Sequence, residues 1–130
     1  MNNFDLHSDF QSKKIIKKLS VSTVLLNNTK EIDWYILVYK ELDKKNIFEL
    51  KSSERKEFFQ DIELVGDLVK EIYAPDQMNV AMFGNITPQL HCHIMPRFKN
   101  DFAWPNPVFC TQVTKTDNIS DLAGMLIERI

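Results

Sequence analysis

Gln89-Leu90-His91-Cys92-His93-Ile94-Met95-Pro96-Arg97 sets two imidazoles two residues apart in a run that alternates polar and apolar side chains. Side chains i and i+2 of a β-strand share a face, so Gln89, His91 and His93 point one way and Leu90, Cys92 and Ile94 the other. The second set reads as core, which leaves the first set free for chemistry. Imidazole titrates near neutrality, and a pair held on a rigid strand can offer a nucleophile and a proton donor together. The chain has 3 histidines, and two of them are here.

Just upstream, residues 84–88 hold a glycine and a proline and read as a turn, preceded by a strand over 77–83. Before that strand, Phe58, Ile62, Val65, Val69 and Ile72 recur at spacings of three and four, the period of an amphipathic helix. Ser52 or Ser53 is the expected cap, Glu54 and Lys70 suit the two ends of the helix dipole, and Pro75 closes the helix. Residues 21–28 mix β-branched and apolar side chains and stop at Asn27-Asn28-Thr29; residues 33–40 are rich in aromatic and branched side chains. The short gap between them predicts an antiparallel hairpin. At the far end, Ile119, Leu122, Leu126 and Ile130 form an apolar stripe on a closing helix capped by Asp117 or Asn118. Strands, a long helix, more strands and a last helix define an α+β fold, an antiparallel sheet with helices packed on one face.

The 130 residues, 44% of them hydrophobic, match one globular domain spanning 1–130. With 16 basic and 18 acidic residues the formal charge is −2, too balanced to hold a nucleic-acid backbone by its field. Lys13, Lys14, Lys17 and Lys18 are interleaved with Ile15, Ile16 and Leu19 and read as the wet face of a short amphipathic segment. No apolar run approaches the ~20 residues of a membrane span, and the first residues lack the layout of a secretory leader, so a cytoplasmic location is expected, with no membrane partner. Cys92 and Cys110 fit no metal or redox pattern; both are expected reduced, with Cys92 buried. His7 is expected exposed near a mobile terminus. Phe58-Phe59 is expected to put one ring in the core and the other outside. Trp104 and the prolines beside it are expected to shape a rigid loop.

Three readings of the imidazole pair compete. Both rings can be exposed strand residues on the wet side of the sheet. Both can bind a divalent metal, but that wants a further ligand, and a carboxylate is missing where Pro96 and Arg97 follow. The third reading is nucleotidyl transfer: a neutral imidazole attacks phosphorus through one ring nitrogen if the other donates to a backbone carbonyl. Asn79, Asn85, Thr87 and the amides of the Gly84 turn lie where donors for the phosphate are needed.

The run resembles the signature of the histidine triad family of nucleotide hydrolases and transferases, three histidines alternating with apolar residues, with Gln89 in the first place. The resemblance extends to Asn79, to Gly84-Asn85 and to Pro96-Arg97, and Asp101-Phe102-Ala103-Trp104-Pro105-Asn106-Pro107-Val108 is similar to a stretch found in a bacterial diadenosine-tetraphosphate-hydrolase-like subgroup. By that resemblance His91 is the nucleophile, His93 a phosphate contact and proton donor, and Gln89 an organising residue that does not titrate. Asn27 would meet the ribose, and Asn79 and Asn85 the phosphate, with Thr87 joining them by its place in the turn rather than by the resemblance. Trp34 stands where many members have another histidine, so Trp34 and Gln89 would be one compensated exchange if they touch. The resemblance implies a homodimer that hydrolyses a nucleoside phosphate anhydride or phosphoramidate, a diadenosine polyphosphate being one candidate, through a nucleotidyl-histidine intermediate, with no metal or cofactor. The alternative is a nucleotide-binding protein with little or no turnover.

Overall fold

The computed structural model describes residues 4–130. Five antiparallel strands, β1 (Lys14–Lys18), β2 (Ser22–Asn28), β3 (Asp33–Tyr39), β4 (Gln77–Ala81) and β5 (His91–Arg97), lie in the order β1-β2-β3-β5-β4. The β2-β3 hairpin forms as its composition predicts, in register from Ser22 opposite Tyr39 to Asn28 opposite Asp33. The chain leaves β3 through helix α1 (Ser52–Tyr73), adds β4 at the edge and returns to insert β5 between β3 and β4. The imidazole strand is therefore hydrogen-bonded on both sides, His91 opposite Val38 and His93 opposite Ile36 on one flank and Ala81 on the other.

One face of the sheet carries the main core, as the alternation requires. Val24, Leu26, Tyr35, Leu37, Leu90, Cys92 and Ile94 pack against Phe58, Val65 and Val69 of α1 and against Ala123 and Leu126 of helix α2 (Asp121–Arg129). Both helices thus lie on one side. Phe58 is fully buried and Phe59 is 48% exposed, the split their adjacency on a helix dictates. Removing the Phe58 ring would cost ~3–5 kcal/mol. Buried Asp61 ties α1 to the sheet by accepting from the Val21 amide (3.0 Å) and the Ser22 hydroxyl (2.7 Å).

The helix ends differ from expectation. Lys51 occupies the N-cap of α1, with Ser52 and Ser53 inside the first turn, and its amide donates to Glu54 Oε1 at 2.7 Å, the half of a capping box that the third helical residue supplies, so neither serine caps the helix. Ala74 adopts a left-handed turn (φ 43°) before Pro75. The closing helix starts later than predicted: Ser120 is its cap, accepting from the Ala123 amide at 3.0 Å, and residues 117–119 stay outside. Ser120 also donates to Asp33, which fixes where the helix begins. The lysine-rich segment is edge strand β1, bulged between Ile15 and Lys17.

A larger correction concerns the second face of the sheet. His91 and His93 lie on the side opposite the main core, but that side is covered rather than wet. Phe10, Leu25, Ile36 and Val38 form a second cluster there, with Leu6 and Trp34 against it, and Ile32, Met95, Ala103 and Val108 form a third. His91 is 7% exposed and His93 9%, which removes the exposed-residue reading. Over His91 the cover is the segment 5–10, folded back as a strap and ending in a short 3-10 turn, Ser8–Phe10, and over His93 it is Phe83 and Phe109 from the loops after β4 and β5. His7 is accordingly held in place: its amide donates to Gln89 Oε1 at 2.8 Å and its ring Nδ1 accepts from the Asp9 amide at 3.0 Å.

Candidate functional site

The two imidazoles sit with ring centroids 4.8 Å apart and planes 79° to each other. His91 Nδ1 is 2.7 Å from the Gln89 carbonyl oxygen. A carbonyl only accepts, so Nδ1 carries the proton and Nε2 keeps a free lone pair. Burial lowers the His91 pKa and outweighs the carbonyl contact, which acts in the opposite sense, so the ring is neutral near pH 7. The requirement for attack through one nitrogen is met in its geometry.

His93 has the complementary tautomer. Trp34 Nε1 donates to its Nδ1 at 2.9 Å. An indole N–H cannot accept, so His93 Nδ1 holds the lone pair and Nε2 carries the hydrogen. The ring is enclosed by Trp34 (5.6 Å), Phe109 (4.9 Å) and Phe83 (6.4 Å). Burial, then His91, then Lys13 push its pKa down to about 3. One ring thus offers a lone pair and its neighbour an N–H.

Gln89 is fully buried, but its side chain turns away from both imidazoles. Its amide nitrogen donates to the carbonyls of Asp5 (3.0 Å) and Tyr39 (2.8 Å), and its oxygen accepts from His7. It fastens the N-terminal strap, which lays Phe10 edge-on against His91 at 5.0 Å. Trp34 and Gln89 do not form a compensated pair: the register puts them at opposite ends of β3, since Val38 already faces His91.

The other expected residues divide. Asn27 lies on the imidazole face opposite Trp34 and accepts from Lys13 Nζ at 3.0 Å. Asn79 accepts from Arg97 Nη1 at 2.8 Å, and Arg97, 2% exposed, also grips both carboxylate oxygens of Asp101 (2.8 and 3.1 Å) and the Asn106 carbonyl (2.8 Å). This network shapes the loop after β5, Trp104 included, and the loop brings Phe109 against His93. Asn79 therefore supports the site through Arg97. Thr87 donates to Asp9 Oδ2 at 2.7 Å and so holds the strap, while Asn85 stands exposed in the 84–88 loop. Gly84, at φ 72°, makes that turn possible.

Lys13 is the residue that reading the sequence as a wet face missed. Its ammonium reaches Asn27 and weighs on the proton affinity of His93, and its own pKa is lowered by burial and by neighbouring Lys115. No short-range signal marks Lys13, because strap and bulged edge strand together decide where it points. A cavity of about 300 Å³ lies beside it, lined by Asn27, Asn28, Lys115 and Thr116 among others. A second one of about 300 Å³ opens beside His91, between Phe83, Gly84 and the 45–48 segment. Among the described residues no three His, Cys, Asp or Glu side chains come together as metal ligands, and no helix is long and apolar enough to cross a membrane. Cys92 is buried and Cys110 exposed, both unpaired with sulfur.

The five-stranded antiparallel sheet flanked by two helices agrees with the comparisons. The HIT domain matches residues 9–100, and the chain belongs to the histidine triad family. A histidine triad protein from Bradyrhizobium japonicum superposes with a TM-score of 0.89 at 29% identity, covering 98% of this chain and 97% of that one. One from Marinobacter aquaeolei VT8 gives a TM-score of 0.80 at 32% identity over 84% of this chain and 80% of that one. In sequence, a protein of Saccharomyces cerevisiae (strain YJM789) named bis(5'-adenosyl)-triphosphatase is 34% identical over 59 residues, 42% of this chain and 29% of the relative. The chain thus spans less than a third of the length of that curated relative.

Proposed function

We propose that this chain is a nucleotidyl hydrolase, which splits a nucleoside phosphate anhydride or phosphoramidate through a covalent intermediate on His91. The observation that carries the reading is the 2.7 Å contact between His91 Nδ1 and the Gln89 carbonyl, which leaves Nε2 with its lone pair. That lone pair forms the N–P bond as the leaving group departs. Water then forms a P–O bond, the N–P electron pair returns to Nε2, and a nucleoside monophosphate is released with loss of a proton from the water. His93 Nε2–H and the Lys13 ammonium would meet the phosphate oxygens, and Asn27 the ribose. Donors fixed beforehand supply most of the barrier lowering in such displacements. The weak likeness to the yeast bis(5'-adenosyl)-triphosphatase supports a dinucleoside polyphosphate as one substrate to try.

The reading includes a homodimer in the cytoplasm. Edge strand β4, with exposed Val80, and exposed Phe59 and Leu64 on α1 support self-association. Sedimentation of the purified chain tests the oligomeric part, and a monomer at micromolar concentration would refute it.

The mechanism is tested by incubating the chain with adenylylated substrates and searching for a phosphorus adduct by mass spectrometry. The adduct should map to His91, and His91→Ala should lose roughly 10³-fold or more in turnover. Undiminished turnover in His91→Ala would eliminate the mechanism. Tight nucleotide binding with neither adduct nor turnover would identify a binding protein instead.

A further inference from the structure

We propose that Trp34 is a positioning residue that holds His93 as a neutral Nε2–H donor, and that the chain therefore cleaves substrates whose leaving group departs as an anion, anhydrides in preference to phosphoramidates. This rests on the His91 mechanism above and narrows it to one of the two bond types.

The geometry is the indole N–H pointing at His93 Nδ1 from 2.9 Å, with Phe109 edge-on to the imidazole at 4.9 Å. An imidazolium would need a second proton at Nδ1. That would set two N–H groups head to head inside an aromatic enclosure, where the charge also lacks water. Neutral, His93 gives a hydrogen bond through Nε2 but has no transferable proton. Around it, β3 and β4 contribute Trp34, Ile36 and Ala81, and the two flanking loops contribute Phe83 and Phe109, none of which titrates near neutrality. The titratable groups bearing on it are His91 and Lys13, both of which disfavour a further positive charge. Gln89, which replaces the first imidazole of the signature, cannot titrate and faces the strap.

The two bond types place different demands on these groups. In an anhydride, His91 Nε2 forms the N–P bond, the bridging P–O bond breaks, and its electron pair stays on oxygen as a phosphate anion. No proton is needed, and Lys13 with Lys115 nearby offers that anion positive charge. In a phosphoramidate, the pair of the breaking P–N bond must be met by a proton as the amine leaves, and a protonated amine is repelled by the same lysines. Loss of general-acid help costs on the order of 10²-fold or more in rate.

The experiment compares two substrates with one nucleotidyl group, one losing phosphate and one losing an amine, and reads the His93 ring nitrogens by ¹⁵N NMR in the intact chain. The expected result is an anhydride preference of ~100-fold, with His93 bearing hydrogen on Nε2 alone from pH 7 to pH 5. Trp34→Phe keeps the ring and removes the N–H. It should raise the His93 pKa, narrow the preference by about tenfold and give phosphoramidate cleavage an acid-side optimum. Equal rates on both substrates with a His91 adduct from each would overturn this inference and leave the His91 mechanism standing. So would wild-type His93 carrying hydrogen on Nδ1, or phosphoramidate cleavage lost in Lys13→Met, which would make Lys13 the acid. No adduct from either substrate would overturn both. The wild-type measurements decide the question even if Trp34→Phe fails to fold.

Discussion

The Gln89 side chain can be removed while the carbonyl that orients His91 stays, and the consequences can be worked from its contacts. The side chain makes three hydrogen bonds, a buried one to the Tyr39 carbonyl and two part-buried ones, to the Asp5 carbonyl and from the His7 amide. At about 1 kcal/mol net for each bond, Gln89→Ala costs ~3 kcal/mol. In a domain of this size that lowers the unfolding midpoint by roughly 12 °C. A neutral imidazole has one donor and one acceptor, so Gln89→His keeps at most two of the three bonds and costs ~1 kcal/mol. Thermal unfolding gives the totals, and amide hydrogen exchange at His7 locates the loss. In Gln89→Ala that amide should exchange far faster, while β2 and β3 stay protected relative to the new global stability. The covalent adduct on His91 should still form, because its orienting carbonyl remains. Unchanged protection at His7 would refute the assignment of Gln89 to the strap, and a folded Gln89→Ala chain unable to form the adduct would refute the division between its side chain and its main chain.

Other outcomes follow from the same contacts. Arg97→Lys should cost ~3 kcal/mol or more by chemical denaturation, since one ammonium cannot span Asp101, Asn79 and the Asn106 carbonyl together. The pH dependence follows from His93, whose folded pKa is about 3 against an ordinary value of 6.5. Between these values the unfolded chain binds the extra proton, so the stability His93 contributes is complete above pH 6.5 and is lost as pH falls. From pH 7 to pH 5 that loss is ~2 kcal/mol, and it should shrink in Trp34→Phe when denaturation is followed at both pH values. Asp101 acts lower on the scale: its grip on Arg97 depresses its carboxyl, so that contribution is present above ~pH 4 and disappears as acid protonates it. Alkylation of the native chain should modify Cys110 alone, because Cys92 is buried and its thiol is pushed up to about 12; labelling of both in folded protein would contradict its burial.

The alternation through Leu90, Cys92 and Ile94 was enough to orient the imidazole strand, and the period of three and four from Phe58 to Ile72 was enough to find α1, because both signals are local and repeat. The β2-β3 hairpin was legible from its composition and short gap. The missing part was what covers the far side of the sheet. Period two cannot separate a wet face from one hidden under a strap held by contacts more than eighty residues apart, such as Gln89 to Asp5. Lys13 was lost for the same reason, since its place beside His93 depends on that strap and on the β1 bulge. Trp34 departs visibly from the signature, but the sequence does not say which residue it meets, and only the strand register reveals that it reaches His93 and not Gln89. The caps at Lys51 and Ser120 moved by one to three residues because Glu54 and Asp33 competed for the helix ends through side-chain bonds.

The acceptor for His91 Nδ1 is a peptide oxygen, and every amino acid carries one. Whatever replaces Gln89, short of distorting the strand, inherits the same aiming device, so this position of the signature can drift in identity while His91 Nε2 keeps its direction. A triad reduced to two rings in this way sheds an ionisable group and not its geometry.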